Sequence, residues 1–138
     1  MDGKGRVALP SRYREALTKS GDDRLIVTRG LGDAFLDVFP MKRWEAFEAR
    51  VAELPRFDPN VVKLRRVYVS AAVECELDGQ GRLLVPPALR EFAKLEKAVM
   101  WVGMTEKAEL WAADQWARAH GEASADSGLL RALEDLKL

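Results

Sequence analysis

The chain has 138 residues but one cysteine, Cys75, and one histidine, His120. An internal disulfide is excluded, and a zinc site built from Cys and His lacks ligands. No apolar run reaches the ~20 residues that a membrane-spanning helix requires, and no basic-then-apolar leader opens the sequence. The expectation is a cytoplasmic protein with no membrane partner. Sequence signatures of catalysis are missing too: there is no Gly-x-Ser-x-Gly elbow, Walker loop, dinucleotide fingerprint or His-Glu-x-x-His. Gly3-Lys4-Gly5-Arg6 is rich in glycine but lacks the spacing of a phosphate-cradling loop. No cofactor or small-molecule substrate is implied. Glu74, Glu76 and Asp78 stand two apart on an expected strand and so share a face. They form either a paired-carboxylate site or a solvated strand face. We read the chain as a non-enzyme.

Net charge is also absent, with 22 basic and 22 acidic side chains. Its distribution is uneven. Through Arg66 there are 14 Lys and Arg against 10 acidic residues, or +4, and the remainder is −4. A localised cationic patch on a neutral chain points to a nucleic-acid contact surface or to ordinary surface charge.

What is present is a segment written twice. Asp2-Gly3-Lys4-Gly5-Arg6-Val7-Ala8-Leu9-Pro10 and the closing Arg14-Glu15 return as Asp78-Gly79-Gln80-Gly81-Arg82-Leu83-Leu84-Val85-Pro86 and Arg90-Glu91, shifted by 76 positions. Each copy reads as a glycine-bearing turn that presents a cation, then a short apolar strand, then a proline where a helix begins. Repetition at this length predicts two similar structural units.

Between the copies we expect a helix from about Ser11 to Thr18, a hairpin of Leu25–Thr28 with Phe35–Phe39, and a helix from about Met41 to Leu54. The last of these carries Trp44, Phe47, Val51 and Leu54 at helical spacing, a core or subunit-contact face. Asp58-Pro59 reads as a helix cap for a short helix to about Arg66, and a strand is expected from Tyr68 to Leu77. After the second copy come a helix from about Pro87 to Leu95, a strand from Ala98 to Gly103, and Glu109-Leu110-Trp111 and Trp116 as counterparts of Asp37-Val38-Phe39 and Trp44. Residues 121–128 read as a linker, and Leu129, Leu130, Leu133 and Leu136 as a final amphipathic helix in need of a partner. The expected organisation is a first repeat over 1–54, a connecting helix over 55–66, a second repeat over 67–120 and a C-terminal linker and helix over 121–138.

Glycine turns let a backbone approach a partner closely. Arginine forms bidentate hydrogen bonds to guanine O6 and N7 or to phosphate, whereas Lys4 is a point charge suited to phosphate. Arg12 and Arg14 fall just inside the following helix. Alternatively, Arg6 and Arg82 pair with the aspartates of their own turns and hold the loops. The first copy has Lys4 and Ser11-Arg12 where the second has Gln80 and Pro87-Ala88, so it keeps two cations that the second lacks, and it is expected to carry the main contact.

The doubled Asp-x-x-Gly-Arg, apolar run, Pro and closing Arg-Glu resembles the swapped-hairpin DNA-binding domain named for AbrB and SpoVT. Two copies, each with a following tryptophan (Trp44, Trp116), resemble the MraZ family of transcriptional regulators. The resemblance covers about Asp2 to Ala119. It implies an α+β fold in which tandem AbrB-like repeats form a pseudo-dimeric β-barrel with flanking helices. It also implies a nucleoid-associated, ring-shaped homo-oligomer that binds direct repeats in promoter DNA of the division and cell-wall gene cluster. The DNA-binding residues it implies are Lys4, Arg6 and Arg14, with Arg12 as helper, and Arg82 and Arg90 in the second copy. A non-enzymatic ring-forming or partner-binding protein is the alternative. Such families carry a strand before the first turn, where only Met1 precedes Asp2 here; either the start lies further upstream, or the first half lacks that strand and one sheet edge is open or completed by a neighbouring subunit.

Overall fold

The computed structural model describes residues 1–137. Leu138, the last residue of the expected 121–138 segment, lies outside the described residues. The first motif contributes β1 (Arg6–Ala8) and the second β5 (Arg82–Leu84), and these two strands pair antiparallel with each other. Val7 faces Leu83, its own counterpart in the repeat. The same holds in the second sheet, where β3 (Leu36–Pro40) pairs with β7 (Lys107–Ala112) and Asp37 faces its counterpart Glu109. Counterparts that face each other across a ladder are the mark of a local two-fold axis, because each strand then meets its own pattern reversed.

The larger sheet has five strands in the order β4 (Val73–Glu76), β2 (Arg24–Arg29), β3, β7 and β6 (Val99–Met104), all neighbours antiparallel. β4 belongs to the second copy but pairs with β2 of the first. β2 is thereby paired on both sides, whereas its counterpart β6 pairs only with β7 and forms an edge. At that edge the amino group of Met1 donates to the Lys97 carbonyl at 2.7 Å. The two sheets remain separate, so among the described residues there is a mixed α/β fold with two antiparallel sheets and no closed barrel.

Among the described residues six α-helices flank the sheets. α1 (Ser11–Ser20) starts after Pro10, whose fixed φ of −53° sets the chain direction, and stops at Gly21, which is left-handed at φ 76° and donates to Thr18. α2 (Met41–Ala52) turns Met41, Trp44 and Val51 inward, so the Trp44 face belongs to the core. It packs with Ile26, Phe39 and Tyr68. α3 (Pro59–Leu64) is capped by Asp58, which accepts from the backbone of Asn60 and Val61, as the sequence led us to expect. α4 (Pro87–Phe92) and α5 (Ala113–His120) are the short counterparts of α1 and α2. α6 (Ser127–Asp135) follows a single tight turn at Ala123–Ala125 and is capped by Asp126.

The expected strand from Tyr68 to Leu77 is found only over Val73–Glu76. Arg65–Val69 instead continues α3 as a π-helical turn. Val67, Tyr68 and Val69 favour a strand by composition, but tertiary contacts override that preference. The Tyr68 ring lies 6.0 Å from Trp44 and 5.6 Å from Phe47, its hydroxyl donates to buried Asp37, and its carbonyl accepts from Thr28 Oγ1 at 2.7 Å. The main core runs through Val7, Leu9, Leu36, Leu83, Val85 and Leu110, beneath the β1–β5 ribbon.

Candidate nucleic-acid interface

The two turns are built alike, atom for atom. In the first, Asp2 Oδ1 accepts from the backbone N–H groups of Lys4 (3.0 Å) and Arg6 (2.9 Å), while Oδ2 accepts from Arg6 Nε at 2.6 Å. In the second, Asp78 Oδ1 accepts from Gln80 (2.8 Å) and Arg82 (2.9 Å), and Oδ2 from Arg82 Nε at 2.9 Å. The pairing of each arginine with its own aspartate is therefore present. It uses Nε in both copies, so the terminal guanidinium nitrogens do not make this bond. The backbone N–H of Arg6, then its side chain and the Lys4 N–H, hold the Asp2 carboxyl at about 2. Asp78 is lowered for the same reasons, with the Arg82 backbone N–H foremost.

The helices that follow cross over. The Arg90 side chain lies against Gly5, and Arg14 lies against Gly81, so each motif's closing arginine covers the other motif's second glycine. Both glycines have positive φ, +85° and +72°. A Cβ on Gly5 would stand 2.5 Å from the Arg90 guanidinium carbon, and one on Gly81 would stand 2.5 Å from Arg14 Cδ. The left-handed backbone favours glycine at both positions, and a Cβ would oblige the covering arginine to shift. The interlock is tightened by Val85 N–H donating to Gly5 and Leu9 N–H donating to Gly81, at 2.9 and 3.1 Å. Arg82 also reaches Asp2 of the other turn, at 4.0 Å.

The sites proposed from the sequence thus divide. Arg6, Arg14, Arg82 and Arg90 gather around one ribbon, with exposed Lys4 at the tip of the first turn. Arg12 is placed elsewhere: its guanidinium stacks 4.9 Å over the Tyr13 ring and sits beside Gly103. Glu74 faces Arg24 at 3.8 Å on the β4 edge, and no metal-binding cluster is found among the described residues.

Two features escaped the sequence reading. One is the exchange of Arg14 and Arg90, whose only signal was that both kept register with the glycines. The other is Leu84, which is 55% exposed. On the ribbon Val7 and Leu83 point inward, so Arg6, Ala8, Arg82 and Leu84 share the outer face, with Arg6 opposite Leu84 and Ala8 opposite Arg82. Strand alternation away from buried Leu83 was the signal available.

A family model described as "MraZ protein, putative antitoxin-like" matches the chain twice in succession, over residues 1–66 and 68–132. The chain belongs to the MraZ family. Among curated MraZ relatives, the transcriptional regulator MraZ of Pseudomonas aeruginosa is 44% identical over 142 aligned residues, covering 100% of this chain and 94% of the relative. That of Thioalkalivibrio sulfidiphilus is 45% identical over 122 residues, 88% of this chain and 81% of its own. That of Pseudomonas syringae pv. syringae is 47% identical over 116 residues, 84% and 77%.

Proposed function

We propose that this MraZ-family chain is a transcriptional regulator that binds double-stranded promoter DNA through the β1–β5 ribbon. The observation that carries the reading is the pair of Asp-anchored arginines on the ribbon's outer face. Each guanidinium is fixed through Nε, so its terminal nitrogens are oriented before a ligand arrives and little side-chain freedom is lost on binding. A two-stranded ribbon fits the major groove of B-DNA, where oriented arginines can read guanine O6 and N7. Ala8 and Leu84 offer apolar contact to thymine methyl groups. Lys4 serves a phosphate, and Arg14 and Arg90 brace the turns while adding positive charge. Arg12, stacked on Tyr13, makes at most a peripheral backbone contact.

The swapped-hairpin pseudo-dimer fits this reading, with units over 1–54 and 67–120 joined by 55–66. Several copies in a ring would set one ribbon against each of several direct repeats, so that individually weak contacts sum. A cytoplasmic, nucleoid-associated, non-enzymatic protein follows. The test is binding of the full-length chain to promoter DNA with direct repeats across a salt series. Affinity should fall steeply with salt as condensed counterions are released. No binding at low salt by the folded chain would sink the proposal. Failure on DNA with retained assembly would favour the alternative, a ring-forming partner-binding protein.

A further inference from the structure

α6 buries none of its residues, and Leu129, Leu130, Leu133 and Leu136 are each at least half exposed along one stripe. A helix with such a stripe is the shape that an apolar groove accepts. The same chain has a groove of about 640 Å³ between α1, the β2–β3 sheet, the start of α2 and the β6–β7 turn. Its floor includes Leu17, Leu25, Val38 and Met41, with Met104 at the lip. The groove is a departure from the internal repeat. Ala16 lines it, whereas the counterpart position in α4 carries Phe92, whose ring packs onto the core beneath Arg29.

The unpaired charges on the groove's rim and the excess charge around the helix are of opposite sign. On the rim, Asp22 is taken by Arg24, Glu106 by Arg43, and Lys107 by Asp37. Arg12 and Lys42 are left without a carboxylate partner among the described residues. Around the stripe, Asp126, Glu134 and Asp135 outnumber Arg131 and Lys137.

We propose that the leucine stripe of α6 in one copy seats in the Leu17–Met41–Met104 groove of a second copy. Helix and groove are different surfaces of one chain, so the contact is head-to-tail, and repetition closes a ring where the rotation permits. This rests on the reading of the protein as an oligomer and assigns that oligomer its contact.

The experiment measures particle mass by light scattering without DNA. Ala16→Phe fills the groove as its counterpart does. Leu130→Asp with Leu133→Asp removes the helix stripe. All three positions are exposed, so circular dichroism should show the fold intact. Should Ala16→Phe disturb it, Lys42→Glu reverses the rim charge at another exposed position. Each variant alone should fall to the monomer mass. An equimolar mixture should give a species of two subunits and no larger, since one copy keeps only the helix and the other only the groove. Either variant retaining the wild-type mass, or a mixture that stays monomeric at its highest soluble concentration, overturns the contact. The oligomer reading then survives if the wild type still assembles. A wild type that is monomeric throughout, with α6 docked on its own groove or free, overturns both.

Discussion

The guanidinium of Arg90 occupies the space that a side chain on Gly5 would fill, although the two residues stand in different copies of the motif. Each turn is closed by its own hydrogen bonds and is then covered by an arginine from the other copy. Each lends an arginine to the other, so the two copies are interlocked in one ribbon.

Gly5→Ala should consequently destabilise the fold by about 1–3 kcal/mol for the left-handed backbone alone, with a further loss from displacing Arg90. Denaturant midpoints measure the sum. Adding Arg90→Ala should relieve the steric part and leave the backbone part, so the two changes should be less than additive. Full additivity would mean that the Gly5–Arg90 contact has no energetic weight.

Asp2→Asn should weaken DNA binding while Arg6 itself remains. The loss should be smaller than that of Arg6→Ala, because the guanidinium remains but is no longer held. Acid provides an independent check. The folded pKa of Asp2, about 2, lies below its ordinary 3.8. Its contribution is therefore fully present above about pH 4 and is lost as pH falls toward 2. Carboxyl NMR titration should show this midpoint. In Arg6→Ala it should rise only partway, since the backbone N–H of residue 6 is the largest cause and remains.

Much of this was legible from residue spacing. The repeat located both turns, Pro10 and Pro86 located the helix starts, and Asp58-Pro59 located a cap, because each acts within a few residues of itself. What spacing could not carry was pairing between distant segments. Nothing local in Arg14 or Arg90 says which glycine it covers, and the strand-like Val67-Tyr68-Val69 gave no sign that Trp44, Phe47 and Asp37 would hold it in a π-helical turn. Leu84 was absorbed into an apolar run whose alternate members face opposite ways. Arg12 was assigned to the motif by proximity in sequence, yet its helix turns it toward Tyr13 and Gly103.

Tyr68→Phe isolates the link between that π-helical turn and the sheet. Asp37 is 1% exposed; Tyr68 donates to one carboxylate oxygen, and Lys107 Nζ stands 2.8 Å from the other. Removing the hydroxyl leaves a buried acceptor without its donor, a cost of about 1–3 kcal/mol. Burial, followed by the bond to Asp37, raises the folded pKa of Tyr68 well above 10.0. The folded state then holds this proton more tightly than the unfolded one. Stability is full below pH 10 and declines as pH rises beyond it. The phenylalanine variant should lose part of that alkaline slope in denaturation curves collected from neutral to strongly basic pH.

Lys4→Ala and Leu84→Ala separate the two kinds of contact assigned to the ribbon. Lys4 is a solvated point charge at a turn tip, so its loss should weaken binding to all sequences alike and reduce the salt slope by about 1 per bound subunit. Leu84 carries no charge. Its truncation should leave the slope unchanged and lower affinity mainly for repeats whose thymine methyl groups meet the outer face, relaxing specificity at those base pairs. Anisotropy titrations on matched and mismatched repeats at three salt concentrations would resolve both effects. If Leu84→Ala instead flattened the salt slope, Leu84 would be acting through the arginine geometry of Arg6, which stands opposite it on the ribbon. The ribbon would then be reading charge alone.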